Sequence, residues 1–128
     1  MDQSYKPNGY STVSPYLVVE GASDTIDFLE RVFGAVELRR FPDAAGKLLH
    51  AEVRIDDTVV MIADGGESWP PVPSYVHVYV SDVDALHERA KAAGAEVTGL
   101  ETSPIGDVAY GDGSRGSGLG LRAARRRP

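Results

Sequence analysis

The chain carries one module twice. Residues 14–37 pass from an apolar strand into an amphipathic helix that ends at Gly34-Ala35-Val36-Glu37, and residues 75–97 repeat that course to Gly94-Ala95-Glu96-Val97. An internal repeat fixes architecture before any other signal, because each copy has an apolar face that it cannot bury alone. Two copies are too few for a solenoid. They predict two pseudo-symmetric halves folded around a shared cleft.

Periodicity sketches the elements within each half. Residues 1–11 are polar and read as a loose arm, and Val13 to Glu20 reads as the first strand. Ser23 or Asp24 is expected to cap the following helix. Ile26, Leu29, Val32 and Phe33 give that helix one apolar face, and Gly34 is its natural left-handed stop. Strands are expected over Val36–Phe41, Leu48–Ile55 and Thr58–Ala63, the last two joined tightly at Asp56-Asp57. The glycines and prolines of 65–73 predict a linker. Ser74–Val80 opens the second half, a Ser81/Asp84 capping box starts a helix with Val83, Leu86 and Ala90 buried, and His87 beside Glu88 is expected in solvent. Strands are expected over Glu96–Leu100 and from Asp107 to Tyr110. Beyond Asp112 the pattern fades into glycine and arginine, with Leu119 and Leu121 a weak alternation.

Composition excludes several classes of function. Without cysteine there is no disulfide, thiolate metal site or cysteine nucleophile. No run of 18 apolar residues offers a membrane span. The N-terminal residues lack an apolar signal region, so a cytoplasmic location is expected. The net charge of −6 conceals an asymmetry: residues 1–112 hold 8 basic and 19 acidic side chains, and five arginines follow. So acidic a body repels phosphate backbones, which argues against nucleic acid as partner.

The order strand, helix, strand, strand, strand, with Ser14-Pro15-Tyr16-Leu17-Val18-Val19, Thr25-Ile26-Asp27-Phe28-Leu29 and Val32-Phe33-Gly34-Ala35, resembles the glyoxalase/bleomycin-resistance/dioxygenase superfamily, also called vicinal oxygen chelate. Leu49-His50-Ala51-Glu52-Val53-Arg54-Ile55 and Val59-Val60-Met61-Ile62-Ala63-Asp64 resemble its PhnB-like branch. His77-Val78-Tyr79-Val80 and Asp82-Val83-Asp84-Ala85-Leu86 extend the likeness into the second half. The resemblance implies an α+β fold of two βαβββ modules forming a concave cleft, and a homodimer. Module one is expected over about 12–64, a linker over 65–73 and module two over about 74–112. The second module's last strand is expected to be atypical or incomplete, with a basic tail over 113–128 that contributes little to the core. The abrupt change of composition there resembles a shifted reading frame or a truncation.

The superfamily's metal-dependent enzymes take ligands at the equivalents of Ser14, Met61, His77 and a glutamate on the last strand. Here only His77 is a good ligand, Met61 prefers soft metals, and no acidic residue follows Asp112. Strand alternation places Tyr75, His77 and Tyr79 on the cleft face, opposite Val76, Val78 and Val80. It sets Leu49, Ala51, Val53 and Ile55 against His50, Glu52 and Arg54, and adds Tyr16 and Val18 to the cleft. A salt bridge with Arg54 is the ordinary role for His50 and Glu52. Trp69 would offer a stacking surface at the pocket mouth.

The expected ligand-binding set is therefore Tyr16, His50, Glu52, Trp69, Tyr75, His77 and Tyr79, taking a planar or aromatic small molecule without metal, as the drug-binding resistance proteins of the superfamily do. The alternative is a metal-dependent lyase, isomerase or dioxygenase, glyoxalase-like, with zinc, nickel, manganese or iron on His50, Glu52 and His77. A third possibility is a paralogue that keeps the fold without function.

Overall fold

The computed structural model describes residues 5–103, 106–112 and 119–126, with side chains described within 5–95. The first module runs β1 (Tyr16–Val19), α1 (Ala22–Phe33), β2 (Val36–Pro42), β3 (Leu48–Ile55) and β4 (Thr58–Asp64). The second runs β5 (Ser74–Tyr79), α2 (Val83–Ala92), β6 (Glu96–Ser103), β7 (Gly106–Asp112) and β8 (Leu119–Arg126). Their sheets have the same strand order, β1-β4-β3-β2 and β5-β8-β7-β6. In each, the first strand pairs in parallel with the last and the others pair antiparallel. The repeat written in the sequence is thus a repeat of topology.

The second sheet has all four strands, so its last strand is not missing. Leu119–Arg126 is not a tail: it lies between β5 and β7 and pairs with both, Val76 opposite Leu121 on one side and Ala109 opposite Ala123 on the other. Strand pairing is made by main-chain groups, so two flanking ladders can hold a segment whose side chains carry little apolar pattern.

α1 buries Ile26, Leu29 and Val32 as its periodicity requires, and Gly34 ends it at φ 69°, donating its N–H to Glu30. Its start differs from expectation. The N-cap is Gly21, and the free Ala22 N–H is taken by Asp64 Oδ1 at 2.8 Å, while Asp64 Oδ2 accepts from Leu48 N at 2.7 Å. One carboxylate at the end of β4 therefore ties down the starts of α1 and β3. α2 is capped by Asp82, which accepts from Ala85 N at 3.0 Å, in place of the Ser81/Asp84 box.

The core lies between the first sheet and α1 and continues into α2. Val19, Ile26, Leu29, Val32, Val53 and Ile62 are sealed from solvent, and Leu86 and Ala90 of α2 pack into the same cluster. Arg89 Nε donates to Val32 O at 3.0 Å, joining α2 to the end of α1. The modules thus meet through their helices. His87 is half-buried, not in solvent, and its Nδ1 has no hydrogen-bond partner among the described residues.

Candidate functional site

On β1, alternation turns Leu17 and Val19 into the core and leaves Tyr16 and Val18 on the opposite face. That face opens into a cavity of about 780 Å³ lined by Tyr16, Val18, Trp69, Pro70, Val72 and Ser74. Its wall is held by the segment between the modules. Gly65 N donates to Val19 O at 2.8 Å and Val72 N to Val18 O at 3.1 Å, so both ends of the loop are pinned to β1. Gly66 and Trp69 bond each other's main chains at 2.7 and 3.2 Å. The fold leaves no room for a side chain at Gly65, where a Cβ would stand 2.5 Å from Pro71 Cδ. Trp69 meets the Tyr16 ring edge to face at 6.4 Å. The Ser74 hydroxyl oxygen is buried at the border of this cavity with no hydrogen-bond partner among the described residues.

Beside Tyr16 the first sheet carries a polar cluster. Register pairs Glu52 with Met61 on one side and Arg39 on the other. Glu52 is only 5% exposed and is fully engaged. It accepts from the Tyr10 hydroxyl on Oε1 and from His50 Nε2 at 2.7 Å on Oε2, and forms an ion pair with Arg39, whose Nε stands 3.2 Å from Oε1. Burial alone would raise its pKa. The Tyr10 and His50 hydrogen bonds and the charge of Arg39 outweigh burial and hold the carboxyl below its ordinary value. Conversely, donation to Glu52, with some burial, raises Tyr10. The His50 ring lies 5.9 Å from Tyr16 and 6.3 Å from Phe41, so aromatic and polar parts share one surface.

The structure rearranges several expected partners. Glu52 pairs with Arg39, not Arg54; Arg54 reaches Gly9 O instead at 3.3 Å. The supposedly loose arm is anchored by Tyr10 on Glu52 and by Ser11, which bonds Ser14 Oγ and Val59 N. Leu49 is exposed and Leu48 buried, against simple alternation. The register slips between Phe41/His50 and Pro42/Leu48, and that extra residue reverses which side chain turns inward.

Tyr16, His50, Glu52 and Trp69 come together. Tyr75, His77 and Tyr79 do not join them. Those three lie on the exposed face of β5, while Val76 and Val80 pack on the core. His77 and Tyr79 stack edge to face at 4.8 Å and line a separate cavity of about 330 Å³ beside Pro15 and the Asp56-Asp57 turn. Val78 is less exposed than either neighbour; it borders that cavity and also the apolar space beside Leu29 and Phe33. Among the described residues no ring contact links the two groups, and no three of His, Asp and Glu gather as a metal site, so His50, Glu52 and His77 do not form one. The superfamily's metal positions fit poorly too: the Ser14 hydroxyl is bonded to Ser11, and Met61 offers a thioether.

Sequence reasoning missed Tyr10, Arg39, Phe41 and Ser74. Arg39 and Phe41 carry a signal, since they alternate on a strand predicted to neighbour β3. Tyr10 and Ser74 carry none, because their roles depend on loop path and depth.

Comparison with known proteins agrees with this architecture. An uncharacterised protein of Mycobacterium bovis is 45% identical over 107 residues, covering 74% of this chain and 70% of its own length. An equally identical protein of Mycobacterium tuberculosis is spanned over 63% of its length. TioX from Micromonospora superposes with a TM-score of 0.75 at 29% identity, covering 91% of this chain and 99% of TioX. TnmS3 from Streptomyces, described as an antibiotic binding protein, gives 0.70 at 21%, covering 92% and 100%. The manganese-bound fosfomycin resistance protein FosX of Listeria monocytogenes gives 0.71 at 17%, covering 91% and 92%. The last two likenesses are of fold alone. The family profile described as the Glyoxalase/Bleomycin resistance protein/Dioxygenase superfamily matches residues 11–112, and the chain belongs to that superfamily.

Proposed function

We propose that this chain is a small-molecule-binding protein that sequesters a planar or aromatic ligand without metal. The observation that carries the reading is the apolar cavity between Tyr16, Trp69, Val18 and Val72, walled by rings and bordered by few polar groups. Such a lining gives affinity through area and stacking, and orientation through one or two hydrogen bonds. The antibiotic-binding TnmS3 fold supports it as a parallel. A metal-dependent lyase, isomerase or dioxygenase is the weaker reading, because of the positions the superfamily resemblance implies only His77 is a good ligand, beside a hydroxyl at Ser14 and a thioether at Met61.

The same reading places the chain in the PhnB-like branch, in the cytoplasm, as a homodimer. Among the described residues no helix is long and apolar enough to cross a membrane. Tyr75 is 92% exposed and Tyr79 71%, with Phe41 and Leu49 also open on the first sheet. A second copy covering these faces is the ordinary solution for a soluble chain of this size. The test is a titration of Trp69 fluorescence with a panel of planar aromatic compounds. Saturable one-to-one quenching supports the reading, and its absence across bicyclic and tricyclic probes refutes it.

A further inference from the structure

We infer that His50 presents an unprotonated Nδ1 acceptor beside the aromatic wall, so that the site selects planar ligands bearing a phenolic O–H or ring N–H donor. The inference rests on the binding reading above and names its substrate class. Glu52 is buried, accepts hydrogen bonds from Tyr10 and His50, and is ion-paired with Arg39. An ionised carboxylate only accepts, so the proton in the 2.7 Å contact sits on His50 Nε2. A neutral imidazole has one N–H, and with Nε2 committed the lone pair is left on Nδ1. No described residue donates to that atom, and the His50 side chain is 28% exposed. Tyr16 and Phe41 flank the ring at 5.9 and 6.3 Å. His50 stands next to Tyr16 at the edge of the cavity lining, and we place a flat molecule against these rings with its edge at Nδ1. Glu52 is thus a positioning residue, fixing the tautomer that reads the ligand. A ligand edge with only acceptors would face a lone pair and lose water without replacing it.

The experiment uses isotope-labelled full chain at mildly alkaline pH. Long-range ¹H–¹⁵N spectra report the His50 tautomer, and titrations compare 2-naphthol with 2-methoxynaphthalene, which share a ring system. The expected results are a bare Nδ1 and about a tenfold preference for 2-naphthol, the worth of one net hydrogen bond. His50→Phe should reduce that ratio below about twofold, and Glu52→Gln should move the proton toward Nδ1 and shrink the ratio too. If a variant fails to fold, the wild-type tautomer and ratio decide. A protonated Nδ1, or equal affinities in wild type, overturns this inference while leaving aromatic binding intact. Failure of both probes to saturate overturns the binding reading and this inference with it.

Discussion

The Trp69 indole stands edge-on to the Tyr16 ring at 6.4 Å, with the planes at 84°. One ring comes from a strand and the other from an irregular loop. They meet because Gly65 and Val72 tie that loop to the backbone of β1 on either side of Trp69. Trp69 is 57% exposed, so its placement over Tyr16 follows from this anchoring rather than from burial.

Trp69→Ala should therefore weaken aromatic ligands more than it weakens the fold. Loss of one stacking partner is worth about 0.5–1.5 kcal/mol beyond area, roughly three- to tenfold in affinity. Urea unfolding should move by less than about 0.5 kcal/mol, as for exposed positions. Calorimetric binding unchanged in the variant would remove Trp69 from the site.

Gly65→Ala should act on the same site from a distance. Its new methyl would fall 2.5 Å from Pro71 Cδ, and the proline or the loop must shift. Ligand affinity is expected to fall while the first sheet keeps its stability. A crystal structure of the variant with Trp69 unmoved would contradict this account of the loop.

The Glu52 cluster predicts a direction of pH dependence. Its carboxyl has a folded pKa below the ordinary 4.5, so its contribution to stability is fully present above that value. The contribution disappears as pH falls through the lowered folded value, where protonation breaks the pairing with Arg39 and His50. Wild type should exceed Glu52→Gln in stability at a pH above the ordinary carboxylate value, and the gap should narrow on acidification below it. A gap that widens on acidification, read by urea unfolding, would contradict the sign.

The two faces of β5 should respond oppositely. Val78→Asp sets a charge toward Leu29 and Phe33 and should cost about 2–4 kcal/mol. His77→Ala, on the exposed face, should stay within about 0.5 kcal/mol. Comparable losses in thermal melts would mean the faces are reversed.

A chain ending at Asp112 loses β8 from the middle of the second sheet. Both β5 and β7 would lose a ladder, and a loss beyond about 3 kcal/mol is expected. A truncated chain with unfolding within about 1 kcal/mol of the full chain would show that β8 adds little.

The sequence by itself determined the repeat, the apolar faces of Ile26, Leu29 and Val32 and of Leu86 and Ala90, the strand Leu48–Ile55 with its tight Asp56-Asp57 turn, and the sidedness of β5. These follow from local period and turn chemistry, which neighbouring residues carry among themselves. Only the tertiary structure decided that Tyr10 and Arg39 close on Glu52, that Leu49 turns outward at a register slip, and that Ser74 borders the cavity with Trp69 above β1. It also separated Tyr75, His77 and Tyr79 from the other expected site residues and placed Leu119–Arg126 in mid-sheet. The physical reason is common to all of these. Each depends on a partner far along the chain or on main-chain pairing, and neither leaves a periodic trace in the residues concerned.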